Sequence, residues 1–301
     1  MDVDHAIQRL WPGSDPSVEP LGGGITNRNF RIDLNGETFV LRVGGKDTEL
    51  LGIDREAERV AAEMAATVGV GPEVVAFLRP EGWLVTRFVE GAPIPPEQMR
   101  SPDMIEAVAS SVRAIHEGPT IQGRFDPHRV VETYAATAAG RGVALPEDWE
   151  WAKGVSDRIE AARGPQRLVP CHDDLLNANF IFDGEHVRIV DWEYAGMGDR
   201  MFDLGNLSVK HDFEPEHDEA LLKAYFGWVA PGDVAAVGLM RFMGAFFEAM
   251  WGVVQQAISE LDVDFVAYAR ENFEKLRALA ADPSFGGWIE SAARSRIPGA
   301  E

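Results

Sequence analysis

Alternating apolar and polar positions near the start of the chain predict an antiparallel β hairpin. The residues of 30–34 alternate in character, as do those of 37–43, and Asn35-Gly36 lies between the two runs. An Asn-Gly pair at such a place favours a type I′ turn, because both central residues of that turn need positive φ. The whole stretch 17–43 is therefore predicted to be β structure.

One helix and two further strands are predicted to complete this β-rich region. Asp54 is a suitable N-cap for a helix that runs to about Val68. Strands near 73–78 and 83–89 follow, which makes five β segments and one helix. The proline-rich and glycine-containing stretch 91–96 can continue neither a strand nor a helix, so it marks the predicted boundary.

Helical periodicity dominates the rest of the chain. Ser101-Pro102 predicts a capped helix that ends near Gly118. A small hairpin is predicted within 167–192, where two apolar runs flank Asp183-Gly184. Further helices are predicted near 127–140, 147–163, 216–227, 233–258 and 263–281. The pattern gives an α+β chain with two lobes, one over 1–90 and a helical one over 91–301.

Charge and composition restrict the partners. The 301-residue chain has a formal net charge of −21, which argues against binding nucleic acid and suits a cationic small molecule. The single cysteine, Cys171, excludes a disulfide framework and fits a cytoplasmic protein. The first 20 residues lack a signal-peptide pattern, and Arg241 and Glu248 interrupt the apolar stretch 234–258. We expect no membrane partner, and the sequence leaves an oligomer open.

The strongest chemical signal is a group of polar residues around the predicted hairpin. His172-Asp173-Asp174 precedes the first apolar run, Asn179 begins it, and Asp191 follows the second. Phosphoryl transfer from ATP requires a carboxylate beside the acceptor hydroxyl and oxygen ligands for Mg²⁺. We predict that Asp174 is the catalytic base or hydroxyl orienter and that Asn179 and Asp191 bind Mg²⁺. Asp173 is the alternative to Asp174, and His172 is predicted to be a structural support.

The nucleotide is predicted to bind among the first strands. Val40 and Arg42 share one face of a strand, so an apolar contact for adenine lies beside a cation for the phosphates. Backbone groups near Phe88 and Val89 are expected to bind the adenine edge. Glycine-rich backbone can approach phosphate oxygens closely. The predicted phosphate loop contains Gly23, Gly24, Ile25 and Asn27.

A helical glutamate is predicted to orient the Arg42 guanidinium. Glu56 is the predicted partner on the helix that follows, and Glu58 is the alternative. The two predicted catalytic residues are therefore Arg42 and Asp174. The predicted cofactors are ATP and Mg²⁺.

These motifs together resemble those of the choline/ethanolamine kinases, within the wider aminoglycoside phosphotransferase-like kinases. The resemblance covers nearly the whole chain and implies a two-lobed protein-kinase-like fold. The matching segments are 22–27, 40–43, 172–179, 191–194, 202–206, 251–252 and 268–270.

The resemblance also implies a pocket for a small cationic alcohol. Aromatic faces attract a quaternary ammonium group, and nearby carboxylates assist them. Besides Asp174, the predicted acceptor contacts are Glu193, Tyr194, Trp251 and Tyr268.

Two positions of the chain depart from the choline-kinase pattern. The resemblance implies a tryptophan at Val254 and an acidic residue near Lys210. A lysine ammonium would repel a cationic acceptor. We therefore predict an ATP- and Mg²⁺-dependent kinase of a small alcohol, with choline or ethanolamine first. An aminoglycoside or other polyol phosphotransferase is the enzymatic alternative, and a catalytically silent kinase-fold binding module is the alternative from another class.

Overall fold

The structure, a computed structural model, describes residues 3–22, 27–45 and 47–294. Its first part is a five-stranded antiparallel sheet in the order β1-β2-β3-β5-β4. The strands are β1 (Ser17–Leu21), β2 (Asn27–Leu34), β3 (Glu37–Gly44), β4 (Val74–Leu78) and β5 (Trp83–Arg87). The predicted hairpin turn joins β2 to β3, with φ of 53° at Asn35 and 84° at Gly36.

The two faces of this sheet have different roles. Phe39, Leu41 and Val43 are buried against helix α1 (Val3–Leu10), which the sequence pattern did not predict. Val40 and Arg42 lie on the opposite face, toward the second lobe. Helix α2 (Arg55–Thr67) follows, and the Asp54 carboxylate accepts hydrogen bonds from two backbone N–H groups of its first turn, as predicted.

The second part of the chain is mainly helical. Two short antiparallel sheets accompany the helices and carry the polar motifs. They consist of β6 (Ala92–Pro93), β8 (Phe180–Phe182) and β9 (Val187–Ile189) in one sheet, and β7 (Leu168–Cys171) with β10 (Gly196–Asp199) in the other. The helices are α3 (Pro96–Met99), α4 (Pro102–His116), α5 (Pro127–Gly140), α6 (Trp149–Arg163), α7 (Arg200–Lys210), α8 (Pro215–Phe226), α9 (Pro231–Ile258), α10 (Phe265–Ala280) and α11 (Phe285–Arg294).

Helix α9 forms the centre of the helical lobe. By length and composition it could cross a membrane, but 94% of its most apolar window is buried inside the protein, as predicted for a core helix. Helix α7 packs closely against it. A Cβ atom at Gly205 would lie 2.5 Å from the Cβ of Met240, so only glycine permits this approach. The close contact positions the polar residues of α7 next to those of α9.

Candidate active site

Arg42 links the sheet to the segment after β9. One of its guanidinium nitrogens lies 2.8 Å from Asp191 Oδ1, and another is paired with Glu58. Burial alone would lower the pKa of Arg42, but the carboxylates of Asp191 and Glu58 raise it above its ordinary value. Arg42 is therefore a fixed cation at the cleft between the lobes.

The predicted partner of Arg42 was wrong. Glu56 lies on the solvent side of α2, where it accepts hydrogen bonds from Arg79 at 2.8 Å and from Arg59 at 3.1 Å. Glu58, the alternative, is only 2% exposed and contacts both Arg42 and Arg55. Helical geometry explains the difference, because residues two apart on a helix point in different directions.

A second connection between the lobes contains two predicted ligand-binding residues. The Asn27 amide donates to Glu193 Oε2 at 2.8 Å, and Arg55 contacts the same carboxylate at 3.2 Å. Arg55 also donates to Asn27 Oδ1 at 3.0 Å. Burial and the nearby Asp191 raise the pKa of Glu193 to about 7, against the attraction of Arg42 and Arg55. Asn27 and Glu193 are thus hydrogen-bonded to each other. The other residues of the predicted phosphate loop, Gly23, Gly24 and Ile25, lie outside the described residues.

A cavity of about 370 Å³ lies between the sheet and the β8–β9 hairpin. Six residues predicted for nucleotide or metal binding line it, which are Val40, Arg42, Phe88, Val89, Asn179 and Asp191. The Phe88 N–H already donates to the Thr38 carbonyl at 3.0 Å, so that donor is not free for adenine. Val89 also lines the cavity.

The two predicted metal ligands lie side by side. The Val190 N–H donates to the Asn179 carbonyl at 3.0 Å, which brings Asp191 next to Asn179. The Asn179 amide nitrogen donates to the Asp174 carbonyl at 3.0 Å, and its side-chain oxygen accepts no hydrogen bond from the residues that the structure describes. Apart from its ion pair with Arg42, the buried Asp191 Oδ1 has no hydrogen bond within the described residues, and the φ of 70° at Asp191 is rare for a residue other than glycine. Two such oxygens fit the preference of Mg²⁺ for hard ligands.

His172 connects the predicted catalytic loop to the metal-binding segment. Its Nε2 lies 3.0 Å from the Val190 carbonyl, and its Nδ1 accepts the Asp174 N–H at 3.3 Å. These two bonds define a neutral ring with the proton on Nε2. Burial lowers the pKa of His172, in agreement with that neutral form. The geometry is that of a structural support and not of a base.

The two adjacent aspartates differ in exposure. Asp173 is fully buried with a φ of 66°, and burial and the nearby Asp203 raise its pKa. Asp174 keeps 9% of its surface exposed. Burial also raises the pKa of Asp174, although the positive charge of Lys210 opposes that rise. Of the two carboxylates, that of Asp174 is therefore the more accessible.

Polar residues of α4 and α7 hold the loop from behind. Asp203 accepts the N–H groups of His172 and Asp173 at 2.9 and 2.8 Å, and it lies 2.9 Å from His116 Nε2. Asn206 accepts the Leu175 N–H, two residues after Asp173, at 3.0 Å. The sequence analysis recognised the 202–206 segment but missed His116, which shows no motif of its own.

The three aromatic residues predicted to bind the acceptor lie close to one another. The Trp251 indole N–H donates to the Tyr194 hydroxyl at 3.0 Å, and the Trp251 and Tyr268 rings lie 5.6 Å apart. The Tyr268 hydroxyl donates to Glu248, a buried acid on the apolar helix α9. The three predicted aromatic residues therefore form one cluster, and Glu248 is a member that the sequence analysis did not assign to the site.

Comparison with known proteins defines the class. Residues 17–236 match the model of the phosphotransferase enzyme family, and the chain belongs to that family. Ethanolamine kinase 2 from Rattus norvegicus is 26% identical over 88% of this chain and 76% of its own length. A solved choline/ethanolamine kinase family protein from Mesorhizobium loti is 32% identical, with a TM-score of 0.83 over 98% of this chain and 100% of the other. Within the wider family, the chain is a member of the choline/ethanolamine kinases, phosphotransferases with an alcohol acceptor.

More distant structures support the fold. Choline kinase LicA from Streptococcus pneumoniae is 22% identical, with a TM-score of 0.76 over 92% of this chain and 98% of the other. A spectinomycin phosphotransferase is 13% identical, with a TM-score of 0.60 over 97% and 98%. The predicted two-lobed kinase-like fold is confirmed.

Proposed function

We propose that the protein transfers the γ-phosphate of ATP to the hydroxyl of a small amino alcohol, with choline and ethanolamine as the first acceptors to test. The observation that carries the proposal is that Arg42, Asn179 and Asp191 line one cavity, while the Asn179 amide binds the backbone carbonyl of Asp174. The aromatic cluster beside Asp174 supports an acceptor that carries an ammonium group.

The residues have separate roles in the proposed reaction. Asp174 accepts a hydrogen bond from the acceptor hydroxyl, aims its oxygen at the γ-phosphorus and takes up the proton. A new bond forms between that oxygen and the γ-phosphorus, and the bond to ADP breaks. The Arg42 guanidinium stabilises the phosphate charge. Asn179 and Asp191 would hold Mg²⁺, which would neutralise negative charge on the phosphates when bound.

The test is the substitution Asp174→Asn. It keeps the size of the side chain but removes the proton acceptor, so we expect turnover to fall by about 10³-fold or more with ATP binding unchanged. Steady-state kinetics with ADP detection and calorimetry with ATP measure the two properties. Asp103→Asn, at an exposed position on α4, is the matched control and should leave both unchanged. Full activity of Asp174→Asn would refute the mechanism.

A further inference from the structure

Lys210 ends helix α7 and forms an ion pair beside the aromatic cluster. Its ammonium nitrogen lies 2.6 Å from Glu248 Oε1, and the two side chains are 15% and 9% exposed. The other Glu248 oxygen accepts the hydroxyl of Tyr268. Both oxygens of this carboxylate are therefore already bound, one of them by a cation of the protein itself.

The other carboxylates around the cleft are also engaged. Asp191 is paired with Arg42, and Glu193 is bound to Arg55 and Asn27. Among these four acids, Asp174 alone has no ion-pair partner in the described part of the chain, and its place is beside the acceptor hydroxyl. A substrate ammonium would therefore find aromatic faces but no free carboxylate.

Unlike these carboxylates, the Lys210 ammonium can still bind a further group. An ammonium group has three donors, and Glu248 occupies one of them. Through Glu248 the Lys210 ammonium is joined to Tyr268 and so to the aromatic cluster. The proposed acceptor site thus offers aromatic faces that can bind a cationic group and a lysine ammonium that can bind an anionic group.

We propose that the acceptor is a zwitterionic amino alcohol. Its ammonium group contacts the rings of Trp251 and Tyr268, its carboxylate accepts from Lys210, and its hydroxyl meets Asp174. This inference rests on the proposed function and narrows its substrate class. The same lysine repels an acceptor that carries only positive charge. Lys210 therefore favours zwitterionic acceptors over purely cationic ones.

Two matched acceptor pairs test the proposal. L-serine is ethanolamine with an added carboxylate, and trimethyl-L-serine is choline with the same addition. For the wild-type protein we expect the carboxylated member of each pair to have a kcat/KM at least about tenfold higher. In Lys210→Gln the order should reverse, because the charge that binds the carboxylate and repels the cation is gone. Lys223→Gln, at an exposed position on α8, is the control and should keep the wild-type order.

Binding measurements separate this proposal from the proposed function. Calorimetry with the same four compounds, in the presence of a non-hydrolysable ATP analogue, requires no turnover. If none of them is phosphorylated, the proposed function fails, while carboxylate-dependent binding that Lys210→Gln abolishes would still support the inference. Preference of the wild type for ethanolamine and choline, or an order that Lys210→Gln leaves unchanged, would overturn it. Should Lys210→Gln not fold, Lys210→Ala with an exogenous alkylamine is the second variant, and its carboxylate preference should return with added amine.

Discussion

Glu56 and Glu58 lie two residues apart on α2 but point in different directions and have different partners. Glu58 lies three and four residues before Ala61 and Ala62, which are buried, so all three share the inner face of α2. Glu56 is bound by Arg79 at the surface instead. Helical spacing in the sequence does not separate the two glutamates, because Val60 lies one turn after Glu56 just as Ala61 and Ala62 lie one turn after Glu58.

This assignment gives a prediction for two similar substitutions on one helix. Glu58→Gln removes a buried charge that orients Arg42, so we expect kcat/KM for ATP to fall about 10- to 100-fold, or about 1.4 to 2.8 kcal/mol. Glu56→Gln is the matched control and should change kcat/KM less than twofold. Steady-state kinetics at varied ATP concentration provides the measurement. Equal losses in the two variants would contradict the assigned pairing.

The structural elements that could be predicted from the sequence are those that depend on short-range contacts. The Asn35-Gly36 turn and the Asp54 cap depend on residues within a few positions of each other, and both were found from the pattern. Strands β7 and β10 were not predicted, because each has four residues and Gly196 and Gly198 interrupt any alternation. Their pairing with each other depends on tertiary contacts that a local pattern does not contain.

Helix α7 was missed for a related reason, although Asp203 and Asn206 on it accept hydrogen bonds from the backbone of the predicted catalytic loop. Burial alone would raise the pKa of Asp203, but hydrogen bonds from His116 and from the His172 N–H outweigh it and hold the pKa below its ordinary value. The carboxylate is thus ionised and satisfied in the interior. Its role is to bind the backbone of a loop that could not form those bonds by itself.

Asp203→Ala should therefore destabilise the fold as well as the site. It leaves the buried N–H groups of His172 and Asp173 without an acceptor, and we expect the free energy of unfolding to fall by about 3 kcal/mol. Urea denaturation followed by circular dichroism measures this change. Glu106→Ala, at an exposed position on α4, should stay within about 0.5 kcal/mol of wild type. A loss in Asp203→Ala as small as in this control would argue against the supporting role.

For the molecule as a whole, side chains at the cleft join the two lobes. Arg42 reaches Asp191, and the pair Asn27 and Arg55 reaches Glu193. Each connection joins the sheet lobe to the segment after β9. None of these partners is close in sequence, so residue types alone did not reveal that Asn27 and Glu193 bind each other. Because the proposed ATP site lies beside both connections, the same contacts that set the angle between the lobes also set the shape of that site.

A double-mutant cycle on Arg55 and Glu193 measures how strongly the lobes are coupled. The two side chains are 15% and 4% exposed, so their interaction is poorly screened by water. We expect a coupling energy of about 1 to 3 kcal/mol from urea unfolding of Arg55→Gln, Glu193→Gln and the double variant.

The exposed pair Arg79 and Glu56 supplies the matched control for that cycle. Its side chains are 61% and 42% exposed and lie within the sheet lobe, so its coupling energy should be below about 1 kcal/mol. ATP should increase the coupling between Arg55 and Glu193, because a nucleotide held between the lobes favours the conformation in which both connections are formed. Coupling at the cleft no larger than that of the exposed pair, with or without ATP, would show that packing and not this ion pair holds the lobes together.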